Sequence, residues 1–151
     1  MMTDQVQSAQ AAYADMLRLE IAPRLRVFGF AGSGSSYVLP ADDRWQIVAF
    51  QKDYHSRAEL LRFTVNLTVA DKAAWEAVRA REASLPGRPS GNTRYGPVTS
   101  VIRLGLLVPP LHEDLWWEVV RGRPTGATAT RILDAIERYA LPWFRDQAAL
   151  R

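Results

Sequence analysis

The side chains that could do chemistry in this chain are few and scattered. Its two histidines, His55 and His112, fall on separate loops, and it contains no cysteine. The missing thiols remove disulfides, thiolate nucleophiles and thiolate metal sites together, and they suit a reducing, cytoplasmic setting. His112-Glu113-Asp114 gathers three ligand types in a row. Sequence neighbours point in different directions, however, and the HExxH spacing that aims two imidazoles at one ion is absent. No metal or other cofactor is expected. Serines occur throughout, yet none sits in a G-x-S-x-G elbow, and a triad would have to recruit a histidine from a distance. Gly32-Ser33-Gly34-Ser35-Ser36 resembles a phosphate loop only superficially. It lacks the Gly-Lys-Ser/Thr ending and leads into a strand, so it forfeits the helix N-terminus that favours anions. It reads as a connection.

A more promising group lies on a predicted strand. Leu61, Phe63, Val65, Leu67 and Val69 alternate with Arg62, Thr64, Asn66 and Thr68, which puts apolar side chains on one face and polar ones on the other. Gln51 and Arg103, on neighbouring strands, can join Asn66. Trp116 or Trp117 and the loop carrying Arg94 and Tyr95 can wall the surface. Amides, a guanidinium and aromatics on one sheet face form a ligand or peptide surface. The alternative is a solvated sheet face partly covered by the long loop.

These residues require a framework. Capped by Thr3 or Asp4, a first helix runs to about Pro23, with Val6, Ala9, Tyr13, Met16 and Leu17 on its buried face. Proline closes it, because the residue before proline is pushed out of helical geometry. Leu25, Val27 and Phe28 then pack as the chain crosses to the sheet. Strands are predicted at Tyr37–Leu39, Trp45–Lys52, Leu61–Val69 and Val98–Leu107, with Leu115–Val120 either a fifth strand or an irregular packing segment. Asp71 caps a short helix to about Glu82. Residues 84–97, rich in proline and glycine, form one long loop. A final helix begins near Thr125 or Thr128, and Pro142 opens a last segment carrying Trp143 and Phe144. Trp45 and Trp75 fit core positions, whereas strand geometry sends Trp116 and Trp117 to opposite faces. Short strand-to-strand links argue for antiparallel pairing. The expected fold is a single α+β domain over residues 1–151: one antiparallel sheet of four to five strands, with the N- and C-terminal helices on one face.

At 151 residues the chain fits one domain, and a chain of this size buries roughly 68–70% of its unfolded surface without covalent staples. Its N-terminus has no signal-peptide pattern, and no run approaches the roughly 18 apolar residues of a membrane helix. The net charge is +3, carried by arginines interleaved with acids. This scatter argues against a nucleic-acid footprint.

With these segments in hand, the chain resembles the DUF4304 family, bacterial proteins of unassigned function. The cues are Pro23-Arg24-Leu25, Gly29-Phe30, Ile47-Val48-Ala49-Phe50-Gln51, Phe63-Thr64-Val65-Asn66-Leu67, Ile102-Arg103-Leu104-Gly105, Trp116-Trp117 and Leu141-Pro142-Trp143-Phe144, in that order. The resemblance implies an α+β fold and a bacterial cytoplasmic setting, and it brings no catalytic residue or cofactor. The leading expectation is a non-catalytic domain that binds a protein or small molecule through the polar sheet face and the 84–97 loop. The alternative is an enzyme with a polar cleft around Arg103, Asn66 and Gln51, which requires a histidine or carboxylate to converge there.

Overall fold

Period-two alternation builds the longest strand of the protein, and the other elements are arranged around it. The structure, a computed structural model, describes residues 6–149. Helix α1 (Ala9–Met16) is capped by Ser8, whose side-chain oxygen accepts from the Ala11 N–H. Thr3 and Asp4, the expected caps, lie outside the described residues. Ala9, Tyr13 and Met16 are buried as their spacing requires, whereas Val6 precedes the helix and is 54% exposed.

Pro23 does not end this helix. A π-turn, Leu17–Ile21, leads into α2 (Ala22–Val27). The Ala22 N–H donates to the Leu17 carbonyl, so the helix widens immediately ahead of the proline. Proline has no N–H and its ring crowds the carbonyl one turn back. The wider turn absorbs both effects and keeps one continuous rod. Leu25 is buried by it, but Val27 is turned outward and 71% exposed.

Four strands follow as an antiparallel meander: β1 (Ala31–Ser33), β2 (Ser36–Val38), β3 (Arg44–Lys52) and β4 (Leu60–Asp71). The Gly32–Ser36 run is therefore a hairpin, not a plain connection. Gly34 takes φ +61 while Ser35 does not enter the positive region, the pattern of a II′ turn whose twist matches that of the strands. After β4, Asp71 caps α3 (Lys72–Arg81) by accepting from the Ala74 N–H at 2.8 Å.

Strand β5 is shorter than expected, Ser100–Arg103, because Leu104–Leu107 coils into a 3-10 turn. The chain folds back over that turn, where a side chain at Gly105 would collide with the backbone of Glu113 and Leu115. It then forms β6 (Trp117–Val120). Strand β5 pairs with residues 66–69 of β4 and β6 with residues 60–63, so the two lie end to end along the β4 edge that β3 leaves free. The early hairpin raises the sheet to six strands. Helix α4 (Gly126–Ala135) passes through a second π-turn, Ile136–Ala140, into α5 (Leu141–Ala149). There the Leu141 N–H donates to Ile136 directly ahead of Pro142, so Pro142 sits within a continuous helix as Pro23 does.

One face of the sheet meets α1, α2, α4 and α5 in the main core, where Tyr13 packs on Phe63 at 5.0 Å and Phe30 on Phe144 at 6.4 Å. The other face is covered as well. Ile47, Ala49, Thr64, Asn66, Thr68 and Ala70 are buried there, beneath α3 with its fully buried Trp75 and beneath the segment that follows it. Trp45 is only half-buried, its indole capped by the Lys72 ammonium at 4.6 Å. Among the described residues, no helix is long and apolar enough to cross a membrane.

Candidate functional site

The polar face of β4 holds the long loop down. The Asn66 amide donates to Gln51 Oε1 at 2.8 Å and to Asn92 Oδ1 at 3.0 Å, and Asn92 in turn donates to the Phe50 carbonyl at 3.1 Å. Thr64 donates to the Leu115 carbonyl at 3.0 Å. Asn66 is only 4% exposed and Thr64 and Thr68 are fully buried. The face expected to look outward is therefore covered by α3, by the 84–97 loop and by the backbone at Leu115. Gly91 fits there because a Cβ would overlap that of Ala49.

The sequence-chosen residues fall into separate groups. Gln51 and Asn66 meet each other and Asn92, a residue the sequence did not single out. Arg103 lies over the Trp116 ring at 5.0 Å and pairs with Asp114, while Arg62 approaches the same indole at 5.9 Å. Arg103 Nε is buried without a partner. Trp117 leaves for the opposite face and stacks on Phe63 at 6.1 Å. Tyr95 packs edge-on against Trp75 at 4.8 Å, and its hydroxyl accepts from the Ser90 N–H. Arg94 is exposed on the outer side of the loop.

A different place has the form of a site. A cleft of about 720 Å³ opens between the N-terminal helix, the β1–β2 turn and the end of β3. Its helical wall carries Gln10, Ala14, Arg18, Ala22 and Arg26, one residue per turn along one side. The two alanines leave room between the longer side chains. Ser33, Gly34 and Ser35 supply the hairpin wall; Gln51, Lys52 and Asn92 close the far side, and Tyr13, Leu17 and Phe50 contribute the apolar lining.

Tyr13 is 5% exposed, and its fully buried hydroxyl has no hydrogen-bond partner among the described residues. Burial, reinforced by the neighbouring Tyr37 phenol, pushes the Tyr13 phenol well above its ordinary range, so it remains a neutral donor. Tyr37, raised by the same desolvation, donates to the Gly34 carbonyl at 2.9 Å and braces the turn. Arg26 donates to the Gly32 carbonyl at 3.1 Å, Arg18 pairs with Asp15 at 3.1 Å, and Lys52 makes no ion pair among the described residues. Gln51 accepts from Asn66 through Oε1, which leaves its Nε2 as the donor side of the amide.

Neither a carboxylate nor an imidazole lines the cleft. His55 is exposed beside Tyr54, and His112 sits 3.0 Å from the Leu106 carbonyl through Nδ1. Among the described residues, no three His, Asp or Glu side chains gather in a metal-binding group. The cleft thus offers cations, neutral donors and an apolar floor, a set that can hold a molecule.

No curated protein and no solved structure matches this chain. The model of the DUF4304 family, a domain of unknown function, matches residues 21–146. That stretch runs from the end of the first π-turn into α5 and takes in every strand, and the chain belongs to the DUF4304 family.

Proposed function

We propose that this domain is a binding protein that holds a small molecule, without transforming it, in the cleft between the N-terminal helix and the β1–β2 turn. The observation that carries this reading is a cleft of about 720 Å³ in which Arg18, Arg26, Lys52 and Gln51 border an apolar lining of Tyr13, Leu17 and Phe50. Small-molecule sites commonly measure about 300–1,000 Å³ and combine apolar walls with a few placed polar groups. The 84–97 loop and the polar sheet face take part indirectly: Asn66 orients Gln51 and Asn92, and these two reach the cleft.

Catalysis around Arg103, Asn66 and Gln51 finds less support. Asp114 is held in a surface pair with Arg103, and the amide protons of Asn66 are engaged within the protein. A second reading is a protein contact through Trp116, favoured by its partly exposed indole between two guanidiniums.

Amide-shift mapping of the labelled protein against a fragment library tests both. Binding in the cleft moves Gly34, Ser35 and Lys52, and the exposed Ala14, replaced in Ala14→Trp, blocks it by filling the space. Hits confined to Trp116 and Arg103 and insensitive to Ala14→Trp would overturn the cleft reading.

A further inference from the structure

Resting on the reading of the cleft as a ligand seat, we infer that its occupant is an organic anion: a small carboxylate or phosphate monoester with an apolar body. Three cations from three elements converge on the opening: Arg18 from the π-turn, Arg26 from α2 and Lys52 from β3. No acid lines it. Asp15, beside the lining residue Ala14, is held by both Arg18 and Gln7 and offsets one of the three charges. Arg26 is anchored through one nitrogen to the Gly32 carbonyl, which fixes the guanidinium on the rim with its remaining N–H groups unspent. Guanidinium forks match carboxylate and phosphate oxygens, and Lys adds a mobile point charge.

The neutral groups favour the same chemistry. Gln51 has its oxygen occupied by Asn66 and keeps only donors. Ser33 and Ser35 add hydroxyls at the turn. A head group rich in acceptors satisfies this rim, while Leu17, Phe50 and the two alanines receive an apolar body. A neutral polar ligand would leave the gathered cations uncompensated.

Calorimetric titration with octanoate, octyl phosphate and octanol tests the inference. Both anions are expected to bind at least about tenfold more tightly than octanol, and the gap narrows as salt rises from about 20 to about 500 mM. Arg26→Gln and Lys52→Gln are each expected to weaken anion binding about three- to tenfold while leaving octanol unchanged. Lys52 is exposed and makes no ion pair among the described residues, so K52Q keeps the test open should R26Q disturb the hairpin. Whichever anion binds more tightly identifies the head group. Octanol binding as tightly as the anions, or anion binding that ignores both substitutions, overturns the anionic ligand and leaves the cleft reading standing. If none of the three binds, or Ala14→Trp does not block them, the cleft reading itself fails.

Discussion

Asn66, on the central strand, donates its side-chain amide at 3.0 Å to the side chain of Asn92, on the loop that covers that strand. The two residues form the tie between sheet and roof, because Asn92 also donates to the Phe50 carbonyl. Removing them has different costs. Asn66→Ala strands Gln51 Oε1 and Asn92 Oδ1 beneath the loop and is expected to lower stability by about 2 kcal/mol. Asn92 is exposed, so water replaces part of what Asn92→Ala removes, and the global loss is about 1 kcal/mol. Its larger effect is local: amides of residues 84–97 exchange faster while those of β3 keep their protection. Unchanged exchange in the loop would show that Asn92 does not hold it.

Two glycines of that loop make a matched pair. A Cβ at Gly91 would overlap that of Ala49 and crowd Ile47, whereas one at Gly87 meets nothing. Gly91→Ala must lift the loop or push back β3 and is expected to cost about 1–3 kcal/mol, the usual range for overpacking. Gly87→Ala should lie within about 0.5 kcal/mol of the parent. Urea unfolding of the two variants measures the difference.

Much of this architecture was legible in the residues. The alternation from Leu61 to Val69, the cap at Asp71 and the opposed tryptophans follow from local periodicity and local hydrogen bonding. The roofed sheet face did not follow, because Thr64, Asn66 and Thr68 look the same to periodicity whether water or a loop covers them; the cover depends on Asn92 and Gly91, remote in sequence. The cleft was missed for another reason. Gln10, Ala14, Arg18, Ala22 and Arg26 form a continuous small-and-basic stripe only if the helix survives Pro23. Reading proline as a terminator cut that stripe, and the π-turn that preserves it leaves no pattern in composition. The turn facing it, Gly34-Ser35, carries no signature beyond that of a turn.

Adjacent tryptophans allow a test of face assignment. Trp117 stacks on Phe63 at the edge of the main core, while Trp116 lies between two guanidiniums near solvent. Trp117→Ala is expected to cost about 3 kcal/mol, toward the low end for a large aromatic that is only partly buried. Trp116→Ala should cost about 1 kcal/mol, the scale of two exposed cation–π contacts. Equal losses measured by denaturant unfolding would contradict the placement on opposite faces.

Tyr13→Phe separates stability from binding. The hydroxyl is buried and unpartnered, so its removal relieves a desolvation cost and should stabilise the empty protein by about 1 kcal/mol. The hydroxyl is closed off from the cleft, so the same change should leave octanoate binding unchanged. Alkaline pH provides an independent reading of the same group. The phenol's ordinary value is 10.0 and burial raises it in the folded state. Below about pH 10 both folded and unfolded chains carry the neutral phenol and the full stability is present. Above that value the unfolded chain ionises first and binds fewer protons, so stability falls by up to about 1.4 kcal/mol per pH unit until the folded phenol also ionises. Tyr37 shifts in the same direction and remains in the variant, so the difference between the two proteins isolates Tyr13. Urea unfolding at pH 8 and pH 11 should show Tyr13→Phe losing less stability than the parent. Equal losses would mean that burial does not raise the Tyr13 phenol, and weakened octanoate binding would mean that its hydroxyl reaches the cleft.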